Sequence, residues 1–302
     1  MHVGGAAEWL LEPATPEELR AAIAAAREQG CVPRILGGGA NLIVEGGLLP
    51  GVVITTDRMK RLFRPAAQLA GGAVLRIEDL PTHHIAPDSR EEGLQLVAWS
   101  GITLLGLLRA ASKLGWSGVE GLAGVPGQVG GGIAMNAGGK YGEMWDVVER
   151  LLVVDEEGRF VELPRAECNP SYRNANLGGY VVASALLKFK LSTVPAVSEA
   201  CREYLSQKNK VQPVTEWSAG CVWKNPDKEK SAGKSAGMLV EHCGAKGRAR
   251  GDAVVSEKHG NFVVNRGKAT ASDVLGLIEE VEQIVAQKSG IKLEREVKIW
   301  RA

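Results

Sequence analysis

Eight of the nineteen residues in GLAGVPGQVGGGIAMNAGG (121–139) are glycine, and a second stretch, LGGGANLIVEGG (36–47), adds five more. Glycine gives up more conformational freedom on folding than any other residue, so a folded chain collects it where the backbone must take positive φ or lie against a ligand. Successive free N–H groups in such turns form an anion-binding concavity suited to a pyrophosphate. Tight turns alone account for either stretch taken singly; two of them in one chain favour a phosphate-bearing ligand. Neither fits G-x-G-x-x-G, so the dinucleotide fingerprint of a Rossmann unit is absent. AGKSAG (232–237) misses the P-loop pattern, because Lys228 stands where its first glycine is required.

The remaining features bound the class. A chain of 302 residues, 45% hydrophobic and 24% charged, has room for two or three domain-sized units. A formal charge of +1 gives no global basic field, so no nucleic-acid partner is expected. No apolar run approaches the ~20 residues of a membrane helix. The opening MHVGGAAEWLLEP lacks the charged and apolar regions of a signal peptide, which leads to the expectation of a cytoplasmic protein with no membrane partner. Five scattered cysteines, an odd number, read as reduced thiols rather than a disulfide framework. No metal site is expected: His242-Cys243 has no second pair to match it, and His83-His84 reads as a solvated loop.

ATPEELRAAIAAAREQG (14–30) is the clearest helix, with Thr15 as N-cap, Pro16 in the first turn, Glu18 completing a capping box and Gly30 as stop. Strands at 32–36 and 51–55 give an α/β or α+β unit at the N-terminus. A second helix spans 103–115. A hairpin spans 147–163, turning at Asp155 to Gly158, and a β-rich stretch covers 180–191. Residues 58–98 read as an irregular insertion. Beyond 194 come a helical stretch at 198–208, a strand at 261–265, and an amphipathic helix at 272–288 with Val274, Leu277, Ile278, Val281 and Ile284 on one face. SAGCVWKNP (218–226) reads as a small polar turn holding one cysteine, Cys221, with no second thiol nearby.

GGGANLIV, GLAGVPGQVGGGIAMNAG, SYR (171–173), SAGCVWKNP, AGMLVEHCGAKG (236–247), VSEKHGNFVVN (255–265) and LEREV (293–297) stand in the order seen in one family. On them the chain resembles the UDP-N-acetylenolpyruvoylglucosamine reductases, in the shorter type without an inserted tyrosine loop. The resemblance implies an α+β protein: two FAD-binding subdomains of the vanillyl-alcohol-oxidase type (1–57 and 58–194), then an α+β substrate-binding domain (195–302). It assigns Gly37, Gly38, Gly39, Ala40 and Asn41, with Gly124, Pro126, Gly127, Gly130, Gly131, Asn136 and Gly138, to FAD. Tyr172, Lys210, Asn225, His259 and Asn261 fall to the substrate. Arg173, Cys221 and Glu296 are the implied catalytic residues. NADPH is the implied electron donor, a UDP-sugar enolpyruvyl ether the substrate, and the implied enzyme is a monomer.

The implied chemistry sends a hydride to C3 of the enolpyruvyl group and builds negative charge conjugated to its carboxylate. Preorganised cations and donors stabilise such charge best, which suits Arg173 and Glu296. By themselves they read as a loop salt bridge and a strand surface residue. Three departures stand out: the chain starts at Met1-His2-Val3 where the family carries a strand and several residues before Val3-Gly4-Gly5, residues 58–98 exceed the usual link, and Cys221 replaces the family's serine proton donor. An ordinary thiol is only about 3% thiolate at pH 7, so it has a proton to give; a small buried hydrophobe is the plainer role for a free cysteine. Two other functions stay open at this level, an alcohol oxidase using oxygen and a nucleotide-sugar-binding module without turnover.

Overall fold

The computed structural model describes residues 1–65, 82–83 and 93–301. The side chains of His83-His84, and most of the 58–98 stretch, lie outside the described residues. The contacts form two compact units: Trp9–Gly38 with Gly51–Ser206, and Met1–Glu8 with Gly39–Pro50 and the chain from Gln207 onward. The linear division at residues 57 and 194 is therefore not how the contacts group. The reason lies in a long-range pairing: Leu42–Val44 runs parallel to Lys298–Trp300, and Ile43 is fully buried in the core of the C-terminal residues.

In the first of these units, six strands make an antiparallel sheet in the order Phe160–Pro164, Val148–Val154, Val181–Lys188, Gln95–Trp99, Leu62–Pro65, Thr82–His83. Its central strands are apolar on both sides because both faces are covered. Leu151, Val153, Leu96 and Ala98 enter one core, and Leu152, Val154, Val97 and Trp99 enter the other, following the two-residue period of a strand. Helix α1 (Pro16–Glu28) supplies Leu19 and Ile23 to the second core, and α2 (Leu104–Leu114) supplies Leu104, Leu107 and Ala111 to the first. Thr15 Oγ1 accepts from Glu18 N at 3.1 Å as expected, but the Glu18 carboxylate accepts from Ala14 rather than Thr15, so the box closes one residue upstream. Thr103 caps α2, and Gly115 ends it at φ +68°.

The other unit holds an antiparallel sheet in the order Trp217–Cys221, Phe262–Asn265, Ala253–Val255, Ala249–Arg250. SAGCVWKNP is thus no polar turn: Cys221 ends a strand, with a register slip between Ser218 and Cys221 where Gly220 takes φ +77°. Within the glycine-rich 121–139 stretch a short helix forms, α3 (Val129–Ala134), and α4 (Val194–Val211) exceeds the expected 198–208 at both ends. The β-rich 180–191 stretch is two strands, Val181–Lys188 and Lys190–Leu191. Helices α5 (Ala236–His242) and α6 (Ala271–Ser289) complete the described set. Val274, Leu277, Ile278 and Val281 of α6 are fully buried, and Ile284 packs against the same core. Among the described residues no helix is long and apolar enough to cross a membrane.

The 155–158 turn carries a pH-dependent contribution. Asp155 Oδ1 accepts from the N–H groups of Glu157 (3.0 Å) and Arg159 (2.7 Å), and its Oδ2 accepts from Arg159 Nε at 2.8 Å. The Arg159 backbone bond, above the other causes, holds this carboxyl below its usual range. A depressed carboxylate stabilises the fold above its unfolded pKa, about 3.9, and that contribution fades as pH falls through the folded value. Asp155→Asn should accordingly lower the urea midpoint at pH 7. The gap to the parent should narrow in urea titrations taken below about pH 4; a gap that widened there would exclude this role.

Candidate active site

Two glycine loops meet in the unit built on the six-stranded sheet. A Cβ on Gly38 would stand 3.1 Å from Gly127 Cα, so the loops touch main chain to main chain. Gln128 and Thr56 lock them: Thr56 N–H donates to Leu36 O (3.0 Å), Thr56 Oγ1 to Gln128 Oε1 (2.8 Å), and Gln128 Nε2 to Asp57 Oδ1 (3.1 Å). Gly130 N–H donates to Ser100 O at 2.9 Å, and a Cβ there would come within 2.7 Å of Ser100 Cβ. Gly131, Gly124 and Pro126 are exposed, and a Cβ on Gly131 would meet nothing within 4 Å. The cradle is lined by backbone and open on one side, which suits a phosphate-bearing cofactor. Thr56 and Asp57 lie outside every motif, and Gln128 stands within the glycine-rich one as its only polar side chain before Asn136, which is why a reading of the glycines passes over all three.

Arg173 sits beside this loop. It takes φ +57°, and its guanidinium donates to Gly138 O (2.9 Å) and Asn136 O (3.4 Å) while lying 4.9 Å from the Tyr172 ring centre. Asn136, expected at the flavin, is buried, and its side chain serves the protein. Nδ2 donates to Glu143 Oε2 (2.7 Å) and Ser171 O (3.3 Å), and Oδ1 accepts from Trp145 N (3.4 Å). Asn136 thereby ties the 136–138 backbone to the SYR turn, and the turn holds Arg173. Tyr172 is half exposed.

The second group of residues lies in the other unit. Val222 N–H donates to Asn261 O (2.9 Å), and Val222 O accepts from Glu296 N (2.8 Å), which fixes the backbones flanking Cys221 and Glu296 to one residue. Asn261 clasps the next residue as well: Oδ1 accepts from Trp223 N and Nδ2 donates to Trp223 O, both at 2.8 Å. The amide is buried, so its work here is on the protein backbone. Glu296 is 8% exposed, not a surface residue of a strand. Asn41 joins the same group through Nδ2 to Glu296 O (3.2 Å) and through its carbonyl to Lys298 N (3.0 Å); Gly39 and Ala40 lead into it.

His259 accepts from Asn261 N at Nδ1 (3.1 Å), leaving the ring proton on Nε2. Burial, reinforced by the charge of Lys246, holds its pKa below the ordinary value, so the ring is neutral at pH 7. Asn225 is exposed and accepts from Ala236 N (3.1 Å) at the start of α5, and Lys210 is exposed at the end of α4. Among the described residues no group of three or more His, Cys, Asp or Glu is placed to hold a metal.

Comparison with known proteins accounts for both units. Residues 7–164 match the family described as FAD binding domain, and residues 212–300 match that described as UDP-N-acetylenolpyruvoylglucosamine reductase, C-terminal domain. The fold and its glycine cradle are those of a flavin-dependent oxidoreductase. UDP-N-acetylenolpyruvoylglucosamine reductases of Moorella thermoacetica (38% identical, 99% of this chain and 88% of the relative) and Deinococcus radiodurans (37%, 99% and 91%) align along nearly the whole length. The crystal structure of the enzyme from Thermus caldophilus superposes with a TM-score of 0.74 at 33% identity, covering 99% of this chain and 94% of that one. The chain belongs to the UDP-N-acetylenolpyruvoylglucosamine reductase family.

Two adjacent glycines separate packing from open space. Gly130→Ala forces a methyl against buried Ser100 and should cost about 1–3 kcal/mol, read as a lower melting temperature of the flavin-free protein. Gly131→Ala meets open space in a helix, where alanine is favoured over glycine by about 1 kcal/mol, and should leave that temperature unchanged or raised. Equal losses in both would contradict the cradle geometry.

Proposed function

We propose that the protein reduces the enolpyruvyl ether of UDP-N-acetylglucosamine to UDP-N-acetylmuramate, a step in peptidoglycan precursor synthesis, with NADPH as electron donor. The reading includes a cytoplasmic monomer acting on small molecules. What carries it is the joint at Val222, whose N–H and carbonyl tie the segment following Cys221 to the backbones of Asn261 and of the buried Glu296. FAD, when bound, supplies the hydride. Gly37 to Asn41, Gly124, Pro126, Gly127, Gly130, Gly131 and Gly138 hold it, with Asn136 keeping its loop in shape.

This chain's own residues manage charge and protons. Arg173 offers a planar cation to the substrate carboxylate, lowering the cost of the negative charge that gathers at C2. Glu296 supports the same carboxylate as a proton-sharing partner. Cys221 gives its proton to C2 and recovers one from solvent. Tyr172, Lys210, Asn225 and neutral His259, a donor at Nε2, orient the UDP-sugar, and Asn261 holds their neighbours in place. Residues from 195 onward make up the substrate-binding part.

Because both substrates use one site in turn, initial rates with NADPH and enolpyruvyl ether both varied should give parallel double-reciprocal plots. Intersecting plots, or rapid oxygen consumption without a UDP-sugar, would point to another oxidoreductase. Cys221→Ser should keep turnover, since a hydroxyl reaches the same point. Cys221→Ala should lose about 10²–10⁴-fold in single-turnover substrate reduction while NADPH still bleaches the flavin. Parental speed in the alanine variant would make Cys221 a packing residue. Arg173→Lys and Glu296→Gln should slow the same step and spare the bleaching.

A further inference from the structure

Glu282 lies on α6, a helix that carries none of the residues assigned above to cofactor, substrate or proton transfer. Its half-buried carboxylate accepts three hydrogen bonds. Oε1 takes Trp223 Nε1 at 2.9 Å and Arg295 Nε at 2.7 Å, and Oε2 takes Arg295 Nη2 at 2.7 Å. The fork between Arg295 and Glu282 is bidentate, the strongest ordinary arrangement of these two groups. Glu282 holds the Arg295 guanidinium above its ordinary pKa, chiefly through these hydrogen bonds.

The two residues so gripped flank the proposed chemistry. Trp223 follows Cys221 by two residues, and Arg295 directly precedes Glu296. They also form an antiparallel bridge with each other. Lys224 N donates to Glu294 O at 2.8 Å, and Lys224 pairs with the Glu294 side chain, which closes the outer end of this ladder. Trp223 is fully buried, so its indole N–H depends on an internal acceptor. One carboxylate thus satisfies a buried donor on one side of the bridge and a cation on the other.

We propose that Glu282 is a positioning residue for the protonating side of the reaction, setting the registry of the Cys221 segment against the Glu296 segment by gripping Trp223 and Arg295 together. This rests on the reading that Cys221 and Glu296 act in enolpyruvyl reduction. Loss of the carboxylate leaves the indole without this acceptor, while Glu279, the next acid toward Arg295, stands at 3.7 Å. The ladder then slips at the point where sub-ångström placement governs proton transfer.

The test compares parent, Glu282→Ala, Glu282→Gln and the control Glu279→Gln, each as the full FAD-loaded chain. Three quantities are read: anaerobic bleaching by NADPH, single-turnover reduction of the enolpyruvyl ether, and the rate at which iodoacetamide alkylates Cys221, followed on its peptide by mass spectrometry. Glu282→Ala should bleach within about twofold of the parent yet lose roughly ten- to a hundredfold in substrate reduction. Its Cys221 should alkylate about tenfold faster, because the strand end opens more often. Glu282→Gln keeps an acceptor for the indole and should fall between, and Glu279→Gln should match the parent.

Parental substrate reduction and alkylation in Glu282→Ala would overturn the proposal. So would equal losses in both half-reactions, which mark a merely structural role, or an equal loss in the Glu279 control. Should the alanine variant fail to fold, parental values in Glu282→Gln overturn it. Should the parent itself not reduce the enolpyruvyl ether, the functional reading falls separately, and the alkylation rates still decide whether Glu282 positions Cys221.

Discussion

Val222 is the joint on which one unit depends. Its N–H is bound by Asn261 O and its carbonyl by Glu296 N, so the strand ending at Cys221 belongs at once to the Phe262–Asn265 ladder and to the 294–297 segment. Each bond is an ordinary backbone bond, worth about 1 kcal/mol net. Their importance is geometric, because they bring two segments more than seventy residues apart in sequence into adjacent register. Asn261 then uses both ends of its buried amide on Trp223, and the half-buried Asn41 binds Glu296 O, so two amides order the neighbourhood. Buried polar groups satisfied this fully rigidify what they touch.

The flavin-binding unit solves a different problem. A sheet buried on both faces gives a stiff platform, and the glycine loops lie at its margin, where Gly130 docks on Ser100 and Gln128 bridges to Thr56 and Asp57. Stiffness matters there because a backbone-lined cradle has no side chains to adjust. Arg173 is set on the same frame: its guanidinium is aimed by the carbonyls of Asn136 and Gly138, and Asn136 is in turn held by Glu143.

The sequence is legible where the physics is local. Thr15, Thr103 and Gly115 cap the helices they were expected to cap or, in the pattern of 103–115, to bound, and the buried stripe of α6 follows from its 3.6-residue period. The 155–158 turn is written in an aspartate and a glycine. Long-range pairing was not legible. Nothing in LIV at 42–44 announces a partner at 298–300, and that pairing is why the chain groups by contact and not by segment. Serine and glycine ahead of Cys221 suggest a turn, whereas Gly220 marks a slip within a strand. The amides of Asn136 and Asn261 also brace the protein itself, Asn136 on Glu143, Ser171 and Trp145 and Asn261 on Trp223, a use that only tertiary structure reveals. Glu282 carries no signal in the sequence, and its role shows only in its bonds to Trp223 and Arg295.

A cysteine at the proposed donor position trades robustness for acidity: a thiol gives up its proton more readily than a hydroxyl, and it is open to oxidation and alkylation. The central claim, that one flavin site passes a hydride from NADPH to an enolpyruvyl ether, is tested most directly by an anaerobic two-step titration of the purified protein. NADPH should bleach the bound FAD, and the UDP-sugar enolpyruvyl ether, added without oxygen, should restore its absorbance with one UDP-N-acetylmuramate formed per flavin. A protein that takes up no FAD, or a bleached one that recovers its colour with oxygen and not with the enolpyruvyl ether, would contradict the account.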